Sequence, residues 1–395
     1  MSDSYRILAA SAADFRDEIV HPQITICGKS IESVETGGML VRVQEGDIAA
    51  KDCLLVPGFI DIHVHGGAGY SVMDGTRASI RAIGRHLVKH GVTGWLPTTV
   101  TAPLDITVAA LNAISEEMKH PDPLGARILG IHLEGPYINP DKKGAQPLSY
   151  VRVPDSREFL KWAGPYLHAI KIVTLAPEME GALELIQTLT RKNIITSIGH
   201  TNATYKEVDK AIYAGASHVT HCFNAMSPMT GREPGVVGAA FARKELKAEL
   251  IWDNIHVHPA SCDALVAAKG SSGVILISDG IPGAGMHDGY EFSLGDLPVT
   301  VKDGAARLPD GTLAGSMLTL DVARVNSAAF DPCTLSALIS HNAADTLGLG
   351  RKTSILESGA DADLCLIDKF NKIAGTIVQG KVVWMEKDQT ERSKK

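Results

Sequence analysis

Cysteine is scarce in this sequence, with six residues at positions 27, 53, 222, 262, 333 and 365 of 395, no C-x-x-C pair and no dense cluster. That spacing excludes a zinc ribbon and a disulfide framework and predicts reduced, mostly buried side chains. Cys222 adjoins His221, yet strand alternation turns it to the opposite face. Positive charge is also in deficit. Lys and Arg total 38 against 45 Asp and Glu, a formal net charge of −7, and no basic run occurs before the terminal RSKK. Nucleic acid is therefore excluded as an expected partner. No window approaches the roughly 18 apolar residues of a membrane span. The opening MSDSYRILAASAADFRDEIV carries neither a basic leader nor a signal-length apolar core. The expectation is a cytoplasmic protein with no membrane partner. Short internal repeats and low-complexity tracts are absent too.

What is present is apolar sequence in two distinct patterns. At 45% hydrophobic residues the chain can bury a large core. Near each end, ITICGKSIESVETGGMLVRVQEGDIAAKDCLLVP and DADLCLIDKFNKIAGTIVQGKVVWMEK alternate apolar and polar residues between Gly, Asp and Lys turns. The economical inference is that the two ends meet in one small β-sandwich, built from 1–56 and 349–395. Between them, strand-like runs recur: FIDIHVH (59–65), GWLPTTV (94–100), ILGIHLE (128–134), AIKIVTLAPE (169–178), NIITSIGH (193–200), SHVTHCFNA (217–225), AELIWDN (248–254) and GVILISDG (273–280). Helix-like segments such as RASIRAIGRHLVKHG and YKEVDKAIYAG separate them. Strands alternating with helices predict a parallel sheet, and eight such units predict an α/β fold, a (β/α)8 TIM barrel over 57–348.

In FIDIHVHG, His63 and His65 share one strand face with Asp61, while Ile60, Ile62 and Val64 take the other. Glu134, His200, His221 and Asp279 close later strands, at the carboxyl ends where barrels build active sites. Each has a plain alternative. Glu134 caps a turn, His200 and His221 are hydrogen-bonded barrel residues, or Asp279 caps a helix. Their joint placement at one mouth argues for a site instead. His132 lies a layer deeper and reads as barrel filling or support. Three or more histidines with a carboxylate suit zinc or iron(II), whereas magnesium or calcium wants an oxygen cage. Such an ion brings the pKa of water towards neutrality, and a nearby carboxylate that binds no metal, Asp279, can accept that proton and return it.

The order PGFIDIHVHG, HLEGPYINPDKKGAQ, IGHTNATY, VTHCFNAMSPMTGREPGVVGAAF, DNIHVHP, SDGIPGAG and DGTLAGSMLTLD resembles the N-acetylglucosamine-6-phosphate deacetylase family of the amidohydrolase superfamily. HLEGP and the HCFNAM…GREPG block are the specific motifs, and the resemblance spans nearly the whole chain. It implies the same barrel with a sandwich from both ends. It further implies a divalent metal on Glu134, His200 and His221, with Asp279 as the catalytic carboxylate. Ala145, Gln146, Asn224, Ala225, His256 and the segment Leu313, Ala314, Gly315 would meet the phosphorylated amino sugar. Arg232 would meet its phosphate, as a planar, permanently charged fork suits phosphate oxygens. Arg232 and His256 would stand near the interface of a homodimer.

Two departures from that family qualify the reading. Some members lack the His-x-His pair and hold one metal; His63 and His65 leave one or two ions per subunit open. Gln146 stands where several members carry a histidine, and it can donate a hydrogen bond without becoming a cation. The expected reaction converts N-acetyl-D-glucosamine 6-phosphate to D-glucosamine 6-phosphate and acetate in amino-sugar catabolism. The alternatives are the galacto epimer, another cyclic-amide or dipeptide amidohydrolase, or an inactive scaffold. The loops GGAG and GIPGAG lack P-loop context and read as hinge or lid glycines.

Overall fold

The computed structural model describes residues 4–37, 41–294 and 297–386; the terminal RSKK and positions 38–40 of the first β-rich run lie outside them. Alternation at the chain ends does produce strands. In Gln23–Cys27, Ile24 and Ile26 are fully buried while Gln23 and Thr25 remain half-buried. Ser4–Ala13, Glu18–Val20, Gln23–Cys27, Ser30–Glu35 and Ile48–Pro57 join Leu364–Ile367, Ile373–Val378 and Lys381–Met385 in one eight-stranded sheet. The ends meet where Leu364–Ile367 runs antiparallel to Ile48–Pro57, pairing Leu364 with Pro57 and Leu366 with Leu55. This unit has its own apolar core, including Ile7, Ile24, Ile26, Leu55, Leu364 and Ile377.

The middle of the chain forms a parallel barrel. Phe59–Val64, Val92–Thr99, Ile131–Glu134, Ile170–Leu175, Ile195–Ile198, His218–Val219, Lys247–Leu250 and Val274–Leu276 follow one another around it, with the short Arg127–Ile128 added beside Val92–Thr99. Closure between the last strand and the first comes from Asp279 N donating to His63 O at 3.0 Å and His65 N donating to Gly280 O at 2.8 Å. Phe59, Ile60, Ile62 and Val64 are fully buried in the barrel core. Burying each such side chain stabilises by about 1.5–3 kcal/mol, which penalises any slip that would turn His63 and His65 away from the interior.

Helix boundaries follow from local chemistry. Thr76 caps Arg77–Leu87, Asp155 caps Ser156–Ala163, and Thr204 with Glu207 forms a capping box on Tyr205–Ala214, which ends at Gly215 in the left-handed region. Among the described residues no helix is long and apolar enough to cross a membrane.

Two segments depart from expectation. The sixth strand ends at Val219 rather than continuing through 225, because His221, Phe223 and Ala225 all adopt positive φ and leave the extended region. After the eighth strand, an antiparallel sheet of Glu291–Leu294, Leu297–Lys302 and Ala305–Arg307 is inserted before the next helix. Val299, Ala306 and Ala314 seat it against Val100 and Ile281 at the barrel mouth. The glycine loops are pinned rather than free: Gly66 N donates to Gly280 O, Ala68 N to Ala284 O and Gly69 N to Pro282 O, each at 2.8 Å. A Cβ at Gly66 would stand 2.4 Å from Tyr70 O, so that approach requires glycine.

Candidate active site

Each chemical side chain stands where a barrel strand stops. His63 lies in Phe59–Val64 and His65 follows it, Glu134 ends its strand, and His200, His221 and Asp279 come just beyond theirs. The last three sit at φ +47°, +29° and +49°. A non-glycine residue held in that region costs on the order of 1–3 kcal/mol. The turn directs each side chain back over the barrel mouth.

The result is a buried cluster of nitrogens and carboxylates. Glu134 Oε1 lies 3.1 Å from His200 Nε2 and 2.9 Å from His221 Nε2, and the two nitrogens are 3.1 Å apart. Beside them, His63 Nε2 and His65 Nε2 are 3.1 Å apart and lie 3.4 and 3.3 Å from Asp279 Oδ1. Glu134 stands between the two groups, with Oε2 3.4 Å from His65 Nε2 and Oε1 3.6 Å from His63 Nε2.

This arrangement fits a divalent cation. Atoms held about 2.0–2.2 Å from a tetrahedral ion are separated by roughly 3.3–3.6 Å, close to the spacings here. The outer nitrogens fix the tautomers. His200 Nδ1 faces Lys142 O at 2.8 Å and His65 Nδ1 faces Thr98 O at 3.1 Å. A carbonyl only accepts, so Nδ1 carries a proton in both rings, and Nε2 is the nitrogen that would turn a lone pair to an ion. His63 Nδ1 faces Glu249 Oε2 at 2.9 Å. His63–His65–Asp279 and Glu134–His200–His221 are therefore two sets that could each hold an ion.

Without a cation, the charges settle on protons. Burial opposes charging His65 and His221. Hydrogen bonds and attraction from Asp279 and Glu134 outweigh it at His65, and Glu134 does so at His221, lifting them to about 10 and about 9. His63 goes the other way, to about 3, because its burial prevails over the nearby carboxylates. Burial likewise raises Glu249 to about 7. His132 lies among the barrel interior residues, with Nδ1 3.0 Å from Ile62 O and Nε2 2.8 Å from Thr174 Oγ1.

Above the cluster opens a cavity of about 410 Å³. Ala145, Gln146, Asn224, Ala225, His256 and the segment Leu313, Ala314, Gly315 all line it. Gln146 Nε2 donates to Glu134 Oε2 at 2.7 Å, while its Oε1 accepts from Thr101 N at 2.8 Å. His256 is oriented by Asp253, whose Oδ2 is 2.6 Å from Nδ1. Arg232 is not brought to this cavity; it is exposed on the segment before helix Gly235–Ala242. The wall also contains Lys142 and Thr312, which the sequence reading does not single out. Lys142 sits in HLEGPYINPDKKGAQ, and a basic pair soon after a strand-end carboxylate is the signal that marks it.

Comparison with known proteins agrees with this geometry. Residues 54–383 match the model of the Amidohydrolase family. The chain is 41% identical to an N-acetylglucosamine-6-phosphate deacetylase of Bacillus subtilis (strain 168), over 86% of this chain and 87% of that protein. It is 37% identical to an N-acetylgalactosamine-6-phosphate deacetylase of Escherichia coli O157:H7, over 87% and 94%. It superimposes on a variant N-acetyl-D-glucosamine-6-phosphate deacetylase of Mycobacterium smegmatis in complex with N-acetyl-D-glucosamine-6-phosphate, with a TM-score of 0.90, 29% identity and coverage of 96% and 99%. With a barrel, a strand-end cluster and a family match that runs through both, the chain belongs to the amidohydrolase family, among the N-acetylglucosamine-6-phosphate deacetylases.

Proposed function

We propose that this enzyme hydrolyses the acetamide of N-acetyl-D-glucosamine 6-phosphate, releasing D-glucosamine 6-phosphate and acetate. The observation that carries the reading is the cluster of Glu134, His200, His221, His63, His65 and Asp279 beneath a cavity of sugar size, in a chain with deacetylase relatives. Glu134, His200 and His221 would hold one divalent ion, and His63 and His65, beside the Asp279 carboxylate, the place for a second, with zinc or iron(II) suiting the nitrogen-rich set. Such an ion, when bound, supplies Lewis acidity that acidifies water and polarises a carbonyl.

The protein's own groups do the rest. Asp279 takes the proton of the attacking water on its carboxylate and passes it to the amine nitrogen as the amide C–N bond breaks. Gln146 holds Glu134 in place through its Nε2–H and faces the cavity. Asn224, Ala225, His256 and Leu313 to Gly315 bind and orient the sugar, while burial of the cluster excludes bulk water. Arg232 supports phosphate recognition from a neighbouring subunit, which its exposed position allows, in a homodimer working in the cytoplasm. The same reading divides the chain at 1–56, 57–348 and 349–395.

A second reading has a specific support, the galacto relative at 37% identity covering 94% of its own length. Acetate release from both epimeric 6-phosphates, with metal content measured on the same preparation, tests both. Preference for the gluco sugar is the expected result. Preference for the galacto sugar replaces the substrate, and no acetate from either sinks the deacetylase reading.

A further inference from the structure

The four histidines of the cluster are not held alike. His65 Nδ1 and His200 Nδ1 each face a backbone carbonyl, whereas His63 Nδ1 faces a carboxylate and His221 Nδ1 is buried with no hydrogen-bond partner among the described residues. The two that no carbonyl orients converge on one residue, Glu249. Its Oε2 accepts from His63 Nδ1 at 2.9 Å and from His221 N at 3.3 Å, and its backbone carbonyl accepts from Cys222 N at 2.8 Å.

Glu249 lies in the strand Lys247–Leu250, where alternation sends Ala248 and Leu250 to the opposite face and turns Glu249, fully buried, into the barrel interior. A carboxylate there has lost its hydration, and Oε1 finds no partner among the described residues. Filling the barrel does not account for it, since an aliphatic side chain of that size packs without the desolvation cost. Nor does a further ion. The ligating atoms of His63, His132 and Glu249 lie within 4.8 Å of one another, but both His132 nitrogens are already engaged, by Ile62 O and Thr174 Oγ1.

We propose that Glu249 is a positioning residue that ties the two metal sets together, a role that rests on the two-ion reading above. It keeps the proton of the His63 ring on Nδ1, which leaves Nε2 for the ion of the His63–His65 pair. It also braces the turn at φ +29° that aims His221 at Glu134 and His200. The two contributions differ in weight. The bond to His63 is short and made to the ring itself. The bond to His221 is longer, is made to the backbone, and is backed by the Cys222 N–H, which needs only the main chain of Glu249. Loss of the side chain therefore falls mainly on the ion of His63 and His65.

The test titrates the zinc-loaded, full-length enzyme with a chelator and counts zinc retained per chain, with the melting temperature of the fully stripped protein recorded alongside. The parent should release two ions in two steps, one of which His65→Ala removes. Glu249→Leu, similar in size, should weaken that same step about 10–100-fold, the usual cost of a lost partner to a metal ligand, and change the other less. Its stripped form should melt close to the parent's, so the loss is not one of fold. Glu249→Gln keeps an acceptor oxygen without the charge and should fall between, at about 3–10-fold. Parent affinities in Glu249→Leu, or equal losses in the Leu and Gln variants, overturn the role given to Glu249. If Glu249→Leu does not fold, parent affinity in Glu249→Gln does so. One ion or none in the zinc-loaded parent overturns the two-ion reading, and this proposal with it, before any variant is compared.

Discussion

Gln146 Nε2 donates to Glu134 Oε2 at 2.7 Å, inside a cluster where that carboxylate stands between two pairs of histidines. The amide is itself anchored, since its oxygen accepts from Thr101 N. The bond fixes which way the Glu134 oxygens point.

Removing that anchor should loosen the metal ligand without unfolding the barrel. Gln146→Ala is expected to lose about 10–100-fold in metal affinity or in kcat/KM, the usual cost of a missing partner to a metal ligand. Gln146→His keeps an N–H donor and should recover much of it. Metal titration alongside kinetics decides; an alanine variant with parent metal affinity and parent rate would remove Gln146 from any positioning role.

Chelation should abolish acetate release and lower the melting temperature, because an ion that binds only the folded state stabilises it by RT ln(1 + [L]/Kd). His65 and His221, lifted to about 10 and about 9, are protonated at pH 7 in the metal-free protein. Their protons must leave when both sets are filled. Metal affinity is therefore expected to rise with pH through the neutral range, with protons released on uptake. Calorimetry in buffers of different ionisation enthalpy measures that release; uptake without any proton release contradicts the assignment of these two rings as ligands.

Phosphate recognition can be divided between two cations. Lys142 lines the cavity of its own chain and donates to Met226 O at 3.3 Å, whereas Arg232 is exposed away from it. If Arg232 serves a neighbouring subunit, Arg232→Ala should raise KM for the 6-phosphate about 10-fold or more, as loss of a charge-assisted pair does, with kcat little changed. Mixing Arg232→Ala subunits with His200→Ala subunits should then restore activity above that of either alone. Failure of mixed dimers to gain activity would confine the phosphate to residues such as Lys142.

How far the sequence reveals this site depends on how local each signal is. His63 and His65 are legible because strand alternation acts over two residues, and Phe59–Val64 is buried along its whole length. His221 is harder. Its strand is only His218–Val219, and its orientation comes from a positive φ that no periodicity announces. The inserted sheet carries a readable cue, Asp303 and Gly304 both at positive φ between Leu297–Lys302 and Ala305–Arg307, the pairing a tight hairpin favours. Its packing on Val100 and Ile281 joins distant segments, which sequence pattern does not encode.

Asp279 offers the sharpest test of the chemistry, because one substitution separates its charge from its shape. Its carboxylate oxygen lies 3.4 Å from His63 Nε2 and 3.3 Å from His65 Nε2. Its backbone, at φ +49°, is bonded through N to His63 O and through O to Ser316 N. Asparagine tolerates the left-handed region as readily as aspartate does, so Asp279→Asn adds no backbone penalty. It retains an oxygen near the histidines but cannot carry a proton between water and the departing amine. The expected outcome is a folded enzyme that retains metal on Glu134, His200 and His221, binds substrate, and loses about 10²–10⁴-fold in kcat. If Asp279 only capped the segment after the eighth strand, asparagine would serve equally, leaving kcat unchanged with stability within about 1 kcal/mol. Metal content, melting temperature and kcat measured together on this variant separate the two, and near-parent turnover would remove Asp279 from proton transfer.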